Sequence, residues 1–296
     1  KTIITIEKKV AEHPYLKDVM EKGKKLAEKG YYLNKELDLD ATAKILFTSG
    51  TTGANKGVVL SQKNLAANTM NCFGIKGENA NNTSMSVLPM HHATEINTHI
   101  FSRMAAGRLT YINDSMKNMM TNIAIFKPYV ITIVPMIANA FYKAIWTNAK
   151  KAGKDAMLKK GIKLIKLLKR FGVDISHKLL KDVYAPFGGN LKQIVCGGAM
   201  LNPEVVKGFR DLGVHITNGY GITECGPLVS MNTETHTEPY SIGKPVENLE
   251  IKIADLNEDN VGELCVKGAS VSKGYYKDAK ATAEVFDADG FFHTGD

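Results

Sequence analysis

No run of apolar residues in this chain approaches the roughly 20 needed to cross a bilayer as a helix. The charged start KTIITIEKKV also lacks the uninterrupted apolar segment of a secretory signal. Membrane-spanning and secreted classes are thereby set aside, and a cytoplasmic protein is expected. Cysteine is scarce: Cys72, Cys196, Cys225 and Cys265 are widely separated, form no CxxC pair and have no metal-ligand spacing with histidine. Neither a zinc site nor a disulfide framework is indicated. An initiator methionine is missing too, and the chain stops at FFHTGD, directly after an ordered-looking segment rather than in a polar tail. A piece excised from a longer protein would look this way.

What is present is a composition able to fold. Of 296 residues, 44% are hydrophobic and 23% charged, enough to bury a core in one large domain or one and a half. The net charge of +8 raises the question of a polyanionic partner, and its location answers it. Between Lys150 and Lys181 ten lysines and Arg170 face only Asp155 and Asp174, a local net of +9 that leaves −1 for the rest of the chain. One basic segment does not make a general nucleic-acid surface. Within it Leu158, Ile162, Ile165, Leu168 and Phe171 recur at helical spacing. Such a helix would ordinarily pack that stripe on the domain with its lysines solvated, and its other use would be contact with an anionic membrane.

Residues 7–29 have a charged helical pattern, and Tyr31 to Asp40 reads as a connector to the strand KILF at 44–47. The following ten residues hold three glycines and four hydroxyl residues, a composition that predicts a loop rather than regular structure. After the strand GVVL, Ser61 is placed to cap a helix starting QKNLAANTM. Strand-like runs (SMSVLP, RLTYI, YVITIV, QIVC, VHITN) then alternate with helical patterns near 95–106, 115–126, 136–150, 155–171 and 202–212. This alternation predicts an α/β fold with a mostly parallel sheet and flanking helices over 1–237. From 238 to 296 short strands such as LEIKIAD and GELCVKG predict a smaller β-rich subdomain.

Two segments carry chemistry. In Thr48-Ser49-Gly50-Thr51-Thr52-Gly53-Ala54-Asn55-Lys56-Gly57, glycines allow backbone N–H groups close to phosphates, hydroxyls donate further hydrogen bonds and Lys56 offsets negative charge. No Gly-Lys-Ser/Thr follows at Walker spacing, and a flexible surface turn would have the same composition. In Asn218-Gly219-Tyr220-Gly221-Ile222-Thr223-Glu224, a strand ends in a turn offering an amide, an aromatic face, a hydroxyl and a carboxylate. Those groups suit a base, an α-phosphate and Mg²⁺, although an aromatic between glycines, taken alone, is more often the mark of a packed turn.

Together the two segments resemble the adenylate-forming superfamily of acyl-CoA synthetases, peptide-synthetase adenylation domains and luciferases. Further pieces follow in that family's order: LPMHHATE at 88–95, VCGGAMLNPEV at 195–205, SIGKPVENLEIKI at 241–253, GELCVKG at 262–268, GYYKD at 274–278 and DGFFHTGD at 289–296. The long-chain fatty acyl-CoA synthetase branch is the most similar, with a medium-chain or aryl acid as the other substrate class. The resemblance implies that ATP and a carboxylic acid give acyl-AMP and pyrophosphate, and that CoA then displaces AMP. It implies that the 48–57 loop holds the β- and γ-phosphates, that Tyr220, between Gly219 and Gly221, stacks on adenine, and that Asn218 binds its amino group. Gly197, Gly198 and Ala199 would lie along the other side of adenine, Thr223 would hold the α-phosphate and Glu224 Mg²⁺. Asp296 would grip the ribose, and His92, rather than His91, would stand near the acyl entrance. Asn55 stands where the family often has proline. The family's long segment before the phosphate loop, and the domain after TGD with its catalytic lysine, are not in this chain, so the piece alone is expected to be incomplete for catalysis. An acyl-AMP ligase loading a carrier protein, or a non-catalytic nucleotide- or lipid-binding module, would carry most of the same residues.

Overall fold

Apolar runs four to six residues long, such as YVITIV and QIVC, suit strands buried on both faces of a parallel sheet, because neither face alternates with water. In the computed structural model, which describes residues 9, 12–31, 33, 35–49, 55–73, 83–233 and 238–296, they occupy the centre of a seven-stranded sheet. Numbered along the chain, the strands are β1 (Thr42–Ser49), β2 (Asn55–Ser61), β3 (Ser84–Ser86), β4 (Thr110–Ile112), β5 (Val130–Ile133), β6 (Gln193–Cys196), β7 (His215–Gly221), β8 (Leu228–Met231), β9 (Lys244–Pro245), β10 (Leu249–Ala254), β11 (Glu263–Gly268) and β12 (Phe292–His293). The large sheet has the order β4-β3-β5-β6-β7-β8-β9. Its first five strands are parallel, and β8 and β9 are added antiparallel.

Helices cross between the parallel strands as expected: α1 (Leu16–Glu28) precedes the sheets, then come α2 (Gln62–Phe73), α3 (Ser102–Ala105), α4 (Met119–Phe126), α5 (Pro135–Lys151) and α6 (Asp155–Lys169). They are followed by α7 (Ser176–Leu179), α8 (Lys181–Tyr184), α9 (Pro203–Asp211) and α10 (Ala279–Val285). A π-helix over Thr94–Phe101 runs into α3, so the pattern read near 95–106 is helical throughout but more widely wound in its first half. The main core joins Met85, Ile131, Ile133, Ile194 and Ile216 of the strands to Phe141 and Ile145 of α5, Ile162 and Ile165 of α6, and Val206 and Phe209 of α9. Full burial of each such side chain is worth roughly 1.5–3 kcal/mol.

Several sequence expectations are refined. The helix read over 7–29 spans Leu16–Glu28, beginning after Pro14, whose ring disfavours helical backbone at the residue before it. Contacts divide the chain into two compact units, Lys1–Leu39 and Asp40–Asp296, at the end of the expected connector. Ser61 caps α2 reciprocally: its Oγ accepts from the Asn64 N–H at 3.2 Å while Asn64 Oδ1 accepts from the Ser61 N–H at 2.8 Å.

The phosphate-loop segment is less irregular than its composition suggests. β1 and β2 form an antiparallel hairpin in which Thr48 faces Lys56 and Ser49 faces Asn55, so its ends are ladder strand. Hydroxyl residues are good strand formers when paired, and only 50–54, which lie outside the described residues, separate the two strands. The segment from 238 onward does not part cleanly from the large sheet, because β9 pairs with β8. It also contains α10. The three-stranded antiparallel sheet β10-β11-β12 starts at Leu249.

Candidate adenylate site

In a parallel sheet the ends of neighbouring strands open on the same side, and their loops converge there. Leu88 and Pro89 after β3, Val134 after β5, Gly197 and Gly198 after β6, and Gly221 at the end of β7 line one cavity of about 1070 Å³. The β1–β2 hairpin adds Thr48 and Lys56, the turn after β7 adds Thr223 and Glu224, and the β11–β12 region adds Glu263, His293 and Asp296. His92 lines the cavity as well, whereas its neighbour His91 does not. Chain segments more than 200 residues apart in sequence thus meet around one space.

The walls have a definite charge pattern. Lys56 is the one lysine or arginine among the described lining residues, facing Glu224, Glu263, Glu284, Asp287 and Asp296. Lys56 Nζ lies over the Tyr275 ring, 5.0 Å from its centroid, and the Tyr275 hydroxyl donates to Glu224 Oε1 at 3.0 Å. Burial, reinforced by the Glu224 charge, pushes the Tyr275 phenol well above its usual range, so it keeps its proton and remains a donor at neutral pH. Tyr275 therefore touches the cation and the carboxylate that sequence reasoning selected separately. It was missed as a site residue, although it lies inside the GYYKD segment. Only its cross-chain contacts reveal it.

Asn218 and Tyr220 sit on β7. Asn218 Oδ1 is buried and accepts no hydrogen bond from the protein, an unusual state for a buried acceptor. The Tyr220 hydroxyl donates to Asp296 Oδ2 at 2.5 Å, and burial followed by that carboxylate holds the phenol far above its ordinary range. A Cβ on Gly197 would meet the Gly219 carbonyl oxygen at 3.4 Å, an ordinary contact. Gly197, Gly198 and Gly221 reach the cavity, whereas Ala199, Asn218, Gly219 and Tyr220 do not line it directly. Ser49 ends β1, and Gly50, Thr51, Thr52 and Gly53 lie outside the described residues.

Asp296 is held by a small network. Glu263 Oε1 accepts from the Gly295 N–H at 2.7 Å, and Glu263 Oε2 lies 2.7 Å from His293 Nδ1. The Leu264 N–H donates to the Asp296 carbonyl at 2.9 Å. Cys265 Sγ lies 3.6 Å from the same His293 nitrogen, so the fold assembles a Glu263–Cys265–His293 cluster that residues 28 apart in sequence gave no reason to expect. The four cysteines are free thiols, and burial raises Cys72 and Cys196 to about 12, leaving both protonated at neutral pH.

Beside this network, the Lys252 ammonium, and then the Phe291 N–H, hold Asp287 down at about 2. Because the folded value is depressed, its stabilisation is present above the unfolded value of about 4 and is lost as pH falls from there toward 2. Asp287→Asn is therefore expected to flatten the acid side of the stability curve, measured as urea midpoints from about pH 5 down to about pH 2. An unchanged slope would remove this assignment.

Comparison with known proteins decides the family. A family model described as "AMP-binding enzyme" matches residues 2–276. The chain belongs to the AMP-binding enzyme family. Long chain acyl-CoA synthetase 6, peroxisomal, of Arabidopsis thaliana is 33% identical over 278 residues, covering 87% of this chain and 39% of the relative. Long-chain-fatty-acid–CoA ligase 6 of Rattus norvegicus is 29% identical over 268 residues, covering 85% and 38%. The chain thus spans about 39% of the length of such curated relatives. In fold it is similar to ATP-bound MatB from Rhodopseudomonas palustris, with a TM-score of 0.65 at 22% identity over 88% of this chain and 46% of that one. It is also similar to o-succinylbenzoate CoA synthetase of Bacillus subtilis in complex with its acyl-adenylate, with a TM-score of 0.63 at 20% identity over 88% and 47%. The α/β architecture read from the sequence is the family's own.

Among the described residues no helix is long and apolar enough to cross a membrane. One of the relatives carries "peroxisomal" in its name, so the family is not confined to the cytoplasm.

Proposed function

We propose that the protein activates a carboxylic acid, a medium- or long-chain fatty acid, as its acyl-adenylate and passes the acyl group to CoA. The observation that carries this reading is the convergence of Lys56, Thr223, Glu224 and Asp296, from three distant parts of the chain, on one cavity at the carboxyl ends of parallel strands. A binding module for adenylate would have no use for a carboxylate beside Lys56, the one lysine among the described lining residues. The names of the long-chain ligases that the chain resembles support the acid class.

In the first step a carboxylate oxygen attacks the α-phosphorus of ATP, the new O–P bond forms and the bond to pyrophosphate breaks. The acid is already ionised at neutral pH, so no general base is required. The difficulty is bringing anions together, and positioning and charge neutralisation supply most of the catalysis. Lys56, with Thr48 beside it across the hairpin, faces the departing phosphates, and Thr223 faces the α-phosphate. Glu224 would hold Mg²⁺, which when bound neutralises charge on the phosphate oxygens. Asn218 Oδ1 is suited to the adenine amino group, and Asp296 to the ribose hydroxyls once it exchanges its bond from Tyr220. His92 and the apolar Leu88, Pro89 and Val134 stand on the side suited to the acid. In the second step the CoA thiol attacks the acyl carbonyl, the bond to AMP breaks and the thiol proton is lost to solvent.

Pyrophosphate exchange by the intact protein across a panel of carboxylic acids tests the reading. The highest rates are expected with fatty acids, and no acid-dependent exchange with any member overturns it. Tyr275 enters as a positioning residue. In Tyr275→Phe the ring under Lys56 survives and the bond to Glu224 is lost, so the Mg²⁺ concentration giving half-maximal exchange is expected to rise roughly 2- to 10-fold, with ATP affinity near wild type. An unchanged Mg²⁺ requirement would mean that Tyr275 only packs.

A further inference from the structure

A surface helix that buries one apolar stripe normally turns a polar face to water. α6 does not. Its inner stripe, Leu158, Ile162 and Ile165, is buried in the main core, which removes these three members of the stripe read from the sequence from any role at the surface, whereas Phe171 is exposed. On its outer side the helix and the residues that follow it carry a second apolar set at spacings of three, four and seven: Met157 is 62% exposed, Leu164 44%, Leu167 51% and Phe171 76%. Lys160 falls within that set, and Lys159, Lys163 and Arg170, all exposed, flank it. Beside it opens a mostly apolar groove of about 1010 Å³ between α5, α6, α7 and α8, walled by Ala140, Ala144, Gly161, Leu164, Leu179 and Val183, with Lys160 and the Lys154–Asp182 ion pair, 3.2 Å long, on its lining.

We propose that this face docks on a bilayer containing anionic phospholipid. Exposed leucine, methionine and phenylalanine ringed by lysines match the boundary between headgroups and acyl chains, where apolar groups insert and cations pair with phosphate. Charge complementarity chooses the occupant: the segment from Lys150 to Lys181 holds a net +9 while the remainder of the chain is near neutral. A polyanion without an apolar phase would match the lysines and leave four large apolar side chains in water. The inward packing of Leu158, Ile162 and Ile165 fixes the helix, so the outer set is presented without a folding cost at the surface. The proposal rests on this surface alone and is independent of the adenylation reading.

Flotation of the intact protein with vesicles of phosphatidylcholine alone, or of equal parts phosphatidylcholine and phosphatidylglycerol, tests it at low and physiological salt. Binding to the anionic vesicles and not to the neutral ones is expected. The triple variant K159Q/K160Q/K163Q should weaken partitioning by about 100-fold. The triple variant L164S/L167S/F171S, which changes only exposed side chains, should bind at low salt and lose most binding at physiological salt, where apolar insertion carries the larger share. Urea midpoints near wild type for both variants establish that the fold is intact. Failure of the wild-type protein to float with anionic vesicles at low salt overturns the proposal. So does binding whose strength and salt dependence the serine variant leaves unchanged, because the apolar side chains would then contribute nothing to it.

Discussion

Glu224→Gln is expected to lower pyrophosphate exchange by about 100-fold or more while leaving nucleotide affinity within a few-fold of wild type. The magnitude is that found when one preorganised charge-stabilising group is removed from a transition state. Gln has nearly the volume of Glu, and its carbonyl oxygen still accepts from the Tyr275 hydroxyl, 3.0 Å away in the native arrangement, so neither the turn nor the cavity is disturbed. What disappears is the negative charge suited to Mg²⁺ beside the departing pyrophosphate. Asn218, Lys56 and Asp296, the residues proposed to bind the nucleotide, are untouched. Exchange kinetics with calorimetry of MgATP separates the two effects, and wild-type exchange by this variant would falsify the role assigned to Glu224.

Gly221→Ala should be the most damaging small change near the site. A Cβ there would lie 2.3 Å from the Pro227 carbonyl oxygen and 2.9 Å from its carbonyl carbon. Both atoms belong to backbone, and the same oxygen accepts the Ile222 N–H at 3.0 Å, so the turn must open to admit one methyl. Overpacking of this kind costs about 1–3 kcal/mol. Opening the turn also displaces Thr223 and Glu224, so the folded fraction should lose activity as well. Gly23→Ala is the control: nothing lies within 4 Å of a Cβ at Gly23, inside α1. Alanine there is expected to be neutral or to stabilise by up to about 1 kcal/mol. Urea midpoints of the two variants measure the contrast, and equal stability would remove the steric argument.

Local chemistry was legible where it acts over short range. Alternation of β-branched runs with 3.6-residue patterns reports which segments bury both faces and which bury one, and it placed β5, β6, α5 and α9 to within one or two residues. Ser61 could be read as a cap because the bond it makes reaches only three residues ahead. The motif order from Thr48 to Asp296 pointed to the family, because each motif is a short contiguous run that can be read without its distant partners.

The sequence by itself therefore determined the α/β class and the family, and it named several residues, Lys56, Thr223, Glu224 and Asp296 among them, that line one cavity. Only the tertiary structure decided that Lys56 and Glu224 share Tyr275, that Tyr220 engages Asp296, that Glu263, Cys265 and His293 cluster, and which of the two apolar stripes of α6 faces out. The reason is separation along the chain. These contacts join residues 28 to 219 positions apart, or depend on which side of a helix meets the core. No local propensity encodes such pairings, which arise when the packed sheet brings its loops to one edge.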